Sequence, residues 1–211
     1  MKVRGQKSDW KDGFLFVGNE LVLDFVNTCP VQDSRRVELL VDFAALLRWF
    51  RAADCLSSKE LSGLQDLWGN TRKAQETAGL MRKLREDLRK EILAWERGEA
   101  IGRSIVEELN RLLAEHPMRV RLAVNGTVNA AESWFELREP ADLFAPLVQS
   151  AVKLFVDIDR ERVRKCDQCV LHFRDTSKKG TRRWCSMQLC GNRLKVAAYA
   201  ARRRNRGKTR G

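Results

Sequence analysis

Four cysteines carry the chemistry most directly readable from this chain: Cys166, Cys169, Cys185 and Cys190. Their spacing is C-x2-C, a stretch of 15 residues, then C-x4-C. Two close thiol pairs joined by a short loop converge on one tetrahedral metal ion, and zinc most often takes four thiolates. Four thiolates leave no open coordination position, so the expected cofactor is one structural Zn2+ per chain. A small module with few large apolar side chains gains on the order of 10 kcal/mol from such binding. His172 follows Cys169 by three residues and is the competing ligand; with four cysteines at hand it is expected outside the coordination sphere. Cys29 and Cys55 have no close thiol neighbour in sequence and read as small buried apolar residues.

The charge distribution adds a partner to this picture. The net charge is +12 over 211 residues. Residues 160–211 hold 17 basic and 3 acidic side chains, while the rest holds 23 and 25, so the whole basic excess lies at one end. A nearly neutral body carrying such an end points to a polyanion, a nucleic acid that could be DNA or RNA. After Cys190 the Ala-rich stretch Leu194 to Ala201 predicts a helix. Leu194, Ala197, Ala198 and Ala201 share one face of it, and Lys195, Tyr199, Arg202 and Arg206 the opposite one. The candidate nucleic-acid contacts are Arg182, Arg183, Arg193, Lys195, Arg202, Arg203, Arg204 and Arg206. For Arg182, Arg183 and Arg193 a second role is open, offsetting the negative metal centre and bracing its sulfurs. Trp184 reads as module core before it reads as a base-stacking platform.

The elements that must position this site read as mainly α with a small β-hairpin component. The expected boundaries are a helical domain at 1–160 and a zinc finger with basic helix and tail at 161–211. Residues 1–12 read as loose and Phe14–Val17 as a short strand. Glu20 to Thr28 predicts a helix ending before Pro30, 31–36 a loop, and 37–53 an amphipathic helix. Ser57 and Glu60 form a capping-box pattern. The helical stretch 58–97 could break at Gly69-Asn70 and at Gly79, and Ser104 could cap a helix that stops at His116-Pro117. Met118 to Val124, the Asn125-Gly126 turn and a return strand at 133–137 predict a hairpin. Pro140 opens a helix whose apolar face runs from Leu143 to Ile158. In the finger, 170–183 should form a loop or hairpin that returns Cys185 to the first pair, and Cys190 should stand at a helix entrance.

The run Arg182-Arg183-Trp184-Cys185-Ser186-Met187, then Cys190-Gly191-Asn192-Arg193 and Lys195, resembles the signature of the CGNR zinc-finger family. Phe173, Asp175 and Ser177 match that family's loop. Leu23-Asp24-Phe25-Val26-Asn27-Thr28 resembles the opening of the ABATE domain, which usually precedes this finger. The resemblance implies a bacterial transcription regulator, helical at the N-terminus and binding DNA through the finger.

Asp24, Asn27 and Thr28 fall on one face of their helix, where they could line a ligand pocket or hold the following loop by local hydrogen bonds. Homodimerisation and a small-molecule ligand are both left open by the sequence. No Gly-rich phosphate loop, Ser-His-Asp set or paired-His metal motif is present, and His116 stands alone beside Pro117, so an enzyme is not expected. No apolar run has transmembrane length and the first residues lack a secretory pattern, so the expectation is a cytoplasmic protein away from the membrane.

Overall fold

The computed structural model describes residues 9–32, 35–125 and 128–191. The chain opens with an antiparallel pair, β1 (Trp10–Lys11) and β2 (Phe14–Leu15), turned through Asp12 and Gly13 at positive φ. Residues 9–12 are therefore engaged rather than loose. Helix α1 (Leu21–Val26) follows, with Val22, Leu23, Phe25 and Val26 fully buried. The stretch expected as a loop contains a second minimal pair, β3 (Val31–Gln32) and β4 (Arg35–Arg36).

Helix α2 (Phe43–Ala52) starts later than its periodicity suggests, because Asp42 caps it by accepting from the Ala45 N–H at 2.7 Å. Helix α3 (Ser58–Trp68) opens on the full Ser57/Glu60 capping box. The chain breaks at Gly69-Asn70 but not at Gly79, which lies inside helix α4 (Arg72–Glu96). A glycine costs a helix about 1 kcal/mol. Burial of Ala78, Met81, Leu84, Leu88 and Ile92 on the inward face outweighs that. Helix α5 (Arg103–Glu115) begins after Gly102, so Ser104 sits inside it, and it ends at His116-Pro117.

The hairpin joins β5 (Arg119–Asn125) to β6 (Val128–Trp134), with Asn125 opposite Val128. The return strand thus starts earlier than 133. Pro140 opens a short 3-10 turn, Pro140–Leu143, which feeds α6 (Phe144–Asp157). A second 3-10 turn, Arg160–Arg162, passes directly into β7 (Val163–Lys165), which pairs antiparallel with β8 (His172–Arg174).

The helices enclose one core around Phe25, Phe43, Trp49 and Phe50, with the Trp49 ring 5.1 Å from Phe50 and 5.5 Å from Phe25. A second, smaller core belongs to the cysteine module: Cys166, Leu171, Phe173, Cys185 and Cys190, joined by Leu15 and Val17 from the N-terminal segment. Phe14 goes to the helical core while Leu15 goes to the cysteine core. Successive residues of an extended segment face opposite ways, so one short strand serves two interiors.

The two parts are fastened along the outer edge of β8. Asn27 donates to the His172 carbonyl and accepts from the His172 N–H, both at 2.8 Å. Two residues on, the Arg174 N–H donates to the Gly18 carbonyl and the Asn19 amide donates to the Arg174 carbonyl, again both at 2.8 Å. All four polar groups that β8 turns away from β7 are thus satisfied by the helical domain. An exposed strand edge invites foreign pairing, and here it is closed from within. Gly18 is required for this approach, since a Cβ there would lie 2.7 Å from the Leu23 Cβ and 2.8 Å from the Asp24 nitrogen. Beside this seam His172 is buried with Nδ1 2.8 Å from a Glu96 carboxylate oxygen at the end of α4. No described helix is long and apolar enough to cross a membrane.

Candidate metal centre

The sulfurs of Cys166, Cys169, Cys185 and Cys190 all lie within 4.8 Å of one another. The hairpin that presents the first pair is not the predicted 170–183 segment. It is β7–β8, which places Cys166-x2-Cys169 at its tip, closed by the Cys166 N–H donating to the Leu171 carbonyl at 2.8 Å. Cys185 precedes a single π-type turn, Met187–Gly191, that contains Cys190, and the helix that Cys190 was expected to enter lies outside the described residues. Ser186 holds that turn. Its hydroxyl accepts from the Gln188 and Leu189 N–H groups at 3.1 and 3.3 Å and donates to the Asp9 carboxylate.

The Sγ–Sγ separations are 3.7 Å for Cys169–Cys185 and 3.8 Å for Cys185–Cys190. Tetrahedral zinc with bonds of about 2.3 Å places its sulfurs about 3.8 Å apart. A disulfide needs about 2.05 Å, and all six cysteines are free thiols. The electrostatics agree with a cation. Hydrogen bonding from Cys185 pulls Cys169 down to about 5, while the bond to Cys169, then burial, push Cys185 up. Burial, then the neighbouring negative sulfurs, push Cys190 up to about 12. A cluster in which one thiolate forces its neighbours to keep their protons is relieved by a divalent ion, which stabilises all four thiolates. The four cysteines thus fit one structural zinc.

The loop between the pairs is organised by Asp175. Its carboxylate accepts from the Ser177 and Arg182 N–H groups at 2.8 and 2.7 Å. Burial works to raise this carboxyl, but those bonds outweigh it and hold it below the usual carboxylate range. Arg182 is fully employed: Nε donates to the Trp184 carbonyl at 2.7 Å, Nη2 to the Cys185 carbonyl, and the guanidinium lies 4.9 Å from the Phe173 ring centroid. It braces the second cysteine pair instead of facing a partner. Arg183 is exposed and pairs with Asp167 at 2.6 Å. Trp184 packs partly buried against the cysteine core, in keeping with its reading as core. Arg193, Lys195, Arg202, Arg203, Arg204 and Arg206, with the expected basic helix, lie outside the described residues.

Helix α1 ends at Val26, so Asn27 is its C-cap and Thr28 lies beyond it instead of on a helix face with Asp24; all three are buried with polar atoms on protein partners. Asp24 accepts from the Gly18 N–H at 2.7 Å, Asn27 clamps His172, and Thr28 donates to the Phe25 carbonyl at 2.7 Å while accepting from Arg85 at 3.1 Å. These contacts are those of a seam between domains, not of an open ligand pocket. Burial pushes Asp24 up to about 7, against the N–H bonds from Gly18 and Val17 that lower it. His116 is not alone either, since its Nδ1 lies 3.0 Å from Asp142 Oδ1. Sequence reasoning missed the contribution of Leu15 and Val17 to the metal module. The signal was available: four consecutive apolar residues, Phe14 to Val17, mark a strand covered on both faces.

A family profile described as "Putative stress-induced transcription regulator", ABATE, matches residues 19–158. A second, the CGNR zinc finger, matches residues 162–203. A comparison with curated proteins finds no match. The first profile alone covers most of the chain, and the second carries the four cysteines whose geometry fits zinc, so this chain belongs to the ABATE family and bears a C-terminal CGNR zinc finger.

Proposed function

We propose that this protein is a non-enzymatic transcription regulator that attaches to DNA through its zinc-clamped basic end. The observation that carries the reading is a four-sulfur cluster rigidifying a module whose chain continues past Gly191 into the most basic stretch of the sequence. Lys165, Lys178, Lys179 and Arg183 of the finger are exposed, and phosphate attraction is the default role of such side chains. The test is fluorescence anisotropy of the zinc-loaded full chain with labelled duplex and single-stranded DNA and RNA across salt concentrations. Binding that weakens steeply with salt and drops on deletion of 202–211 is expected. No binding to any of them at low salt refutes the reading.

One observation favours a second role, association with a protein. Val120, Leu122 and Val124 line one face of the β5–β6 hairpin and are 70%, 73% and 65% exposed. Such a surface suits an association partner for the helical domain, which light scattering of the intact chain detects.

A further inference from the structure

A cleft of about 600 Å3 opens between the end of α4 and the finger. Five cations line it: Arg97 from the helical domain, and Arg164, Lys165, Arg182 and Arg183 from the finger. Two carboxylates, Glu96 and Asp167, share the wall. Glu96 is turned to the buried His172 ring, and Asp167 holds Arg183. The cations differ in availability. Arg182 is consumed by the carbonyls of Trp184 and Cys185 and shapes the wall. Lys165 is exposed and has no ion-pair partner among the described residues. Arg97 engages only Glu99, in a surface pair at 2.8 Å with both side chains more than half exposed. Such a pair is worth little and yields readily to a phosphate. Arg164 donates from Nη2 to the Gly180 carbonyl at 2.9 Å, while its Nε is buried with no hydrogen-bond partner among the described residues. A buried guanidinium N–H without an acceptor is costly, and an anion in the cleft is one way to satisfy it.

We infer that this cleft seats the phosphodiester backbone of a nucleic acid, so that the helical domain and the finger hold the strand jointly. The inference rests on the nucleic-acid reading above and deepens it in one respect. Contact is not confined to the finger and its tail, because Arg97 caps a helix of the ABATE domain and reaches the same space as Lys165. The cleft is lined by all of β7, Val163 to Lys165, and its size is that of a nucleotide-scale site. A row of available cations across a domain junction suits a repeating polyanion better than a single small acid, for which one bidentate arginine would serve.

The test uses the zinc-loaded full chain and a labelled duplex oligonucleotide, with the association constant measured over a range of salt. Arg97→Ala/Lys165→Ala is compared with Lys59→Ala/Lys90→Ala, two exposed lysines of the helical body. Zinc content and melting temperature of both double variants should match the parent. Each lost phosphate contact lowers the salt slope by about 0.9. The cleft variant should therefore lose about two from its slope, and the control none. A parent that binds DNA and a cleft variant with the parental slope would overturn the cleft while leaving the wider reading intact. A parent that binds no nucleic acid overturns both. Cleft-dependent binding of free AMP, with the oligonucleotide slope unchanged, also overturns the inference and makes the cleft a small-anion site.

Discussion

The seam between the two parts makes a sharp prediction at Asn27. Its side chain imitates a neighbouring strand, presenting one donor and one acceptor to the His172 backbone at 2.8 Å each. Both residues are 1% exposed. Asn27→Ala leaves an N–H and a carbonyl of β8 without partners in an interior site. Each stranded group costs about 1–3 kcal/mol, so the expected loss is about 2–6 kcal/mol. Asn27→Asp keeps the acceptor but turns an oxygen toward the His172 carbonyl, and its loss should be at least as large at neutral pH. The assay is urea unfolding at fixed free zinc, since bound metal shifts apparent stability by mass action. It is paired with hydrogen exchange at the His172 and Arg174 amides. The His172 amide should lose protection far more than amides in the middle of α4. A change below about 0.5 kcal/mol, or unchanged exchange at His172, would refute the view that this side chain closes the edge.

Three further outcomes are expected. Burial pushes Asp24 up to about 7 in the folded chain, against the ordinary carboxylate value of 3.8. The folded chain then binds more protons between those values, so the stability conferred by the neutral carboxyl is full near pH 4 and lost as pH rises through 7. The three-unit span corresponds to about 4 kcal/mol at most. Asp24→Asn should flatten the pH profile of the melting temperature across that window, and parallel profiles would count against the assignment. Metal analysis should find about one zinc per chain, and Cys190→Ser should weaken zinc retention and loosen the finger while the far-UV signal of the helical body persists; full retention in a Cys185→Ser/Cys190→Ser variant would mean that the ligand set is wrong. Arg182→Lys cannot reproduce the forked contact to the two carbonyls, so finger stability in urea unfolding at fixed free zinc should fall by about 1–3 kcal/mol; unchanged stability would mean that Arg182 does not brace the second cysteine pair.

What the sequence disclosed follows the range of the forces involved. The four cysteines were legible because ligand type and spacing are local, and a C-x2-C turn forms whatever surrounds it. Helices α2 and α6 were legible from apolar periodicity, α3 and α4 from a stretch rich in Leu, Lys, Arg and Glu, and the Ser57/Glu60 cap from a three-residue pattern. Gly79 misled because local propensity says nothing of the packing gained by Ala78 and Met81 on either side of it. The finger hairpin was placed too late because the thiols, rather than a Gly or Asn pair, mark its tip. The trio Asp24, Asn27 and Thr28 drew attention as polar residues in an apolar helix. Their partners lie as far as 145 residues away for Asn27 and His172, and no local pattern encodes that distance. The same holds for the cleft, whose Arg97 and Lys165 become neighbours only when α4 meets β7.

The split loyalty of the N-terminal strand bears on how the protein is made. Leu15 and Val17 leave the ribosome early, yet the sulfur-lined interior they complete is not synthesised until Cys190 has emerged. At 5–20 residues per second that interval lasts roughly ten to thirty seconds. During it, Phe14 can settle into the helical bundle while its neighbours wait in water for an ion and a hairpin to arrive. Capture of the metal is therefore the event that completes the surroundings of Leu15 and Val17 as well as the finger made long after them.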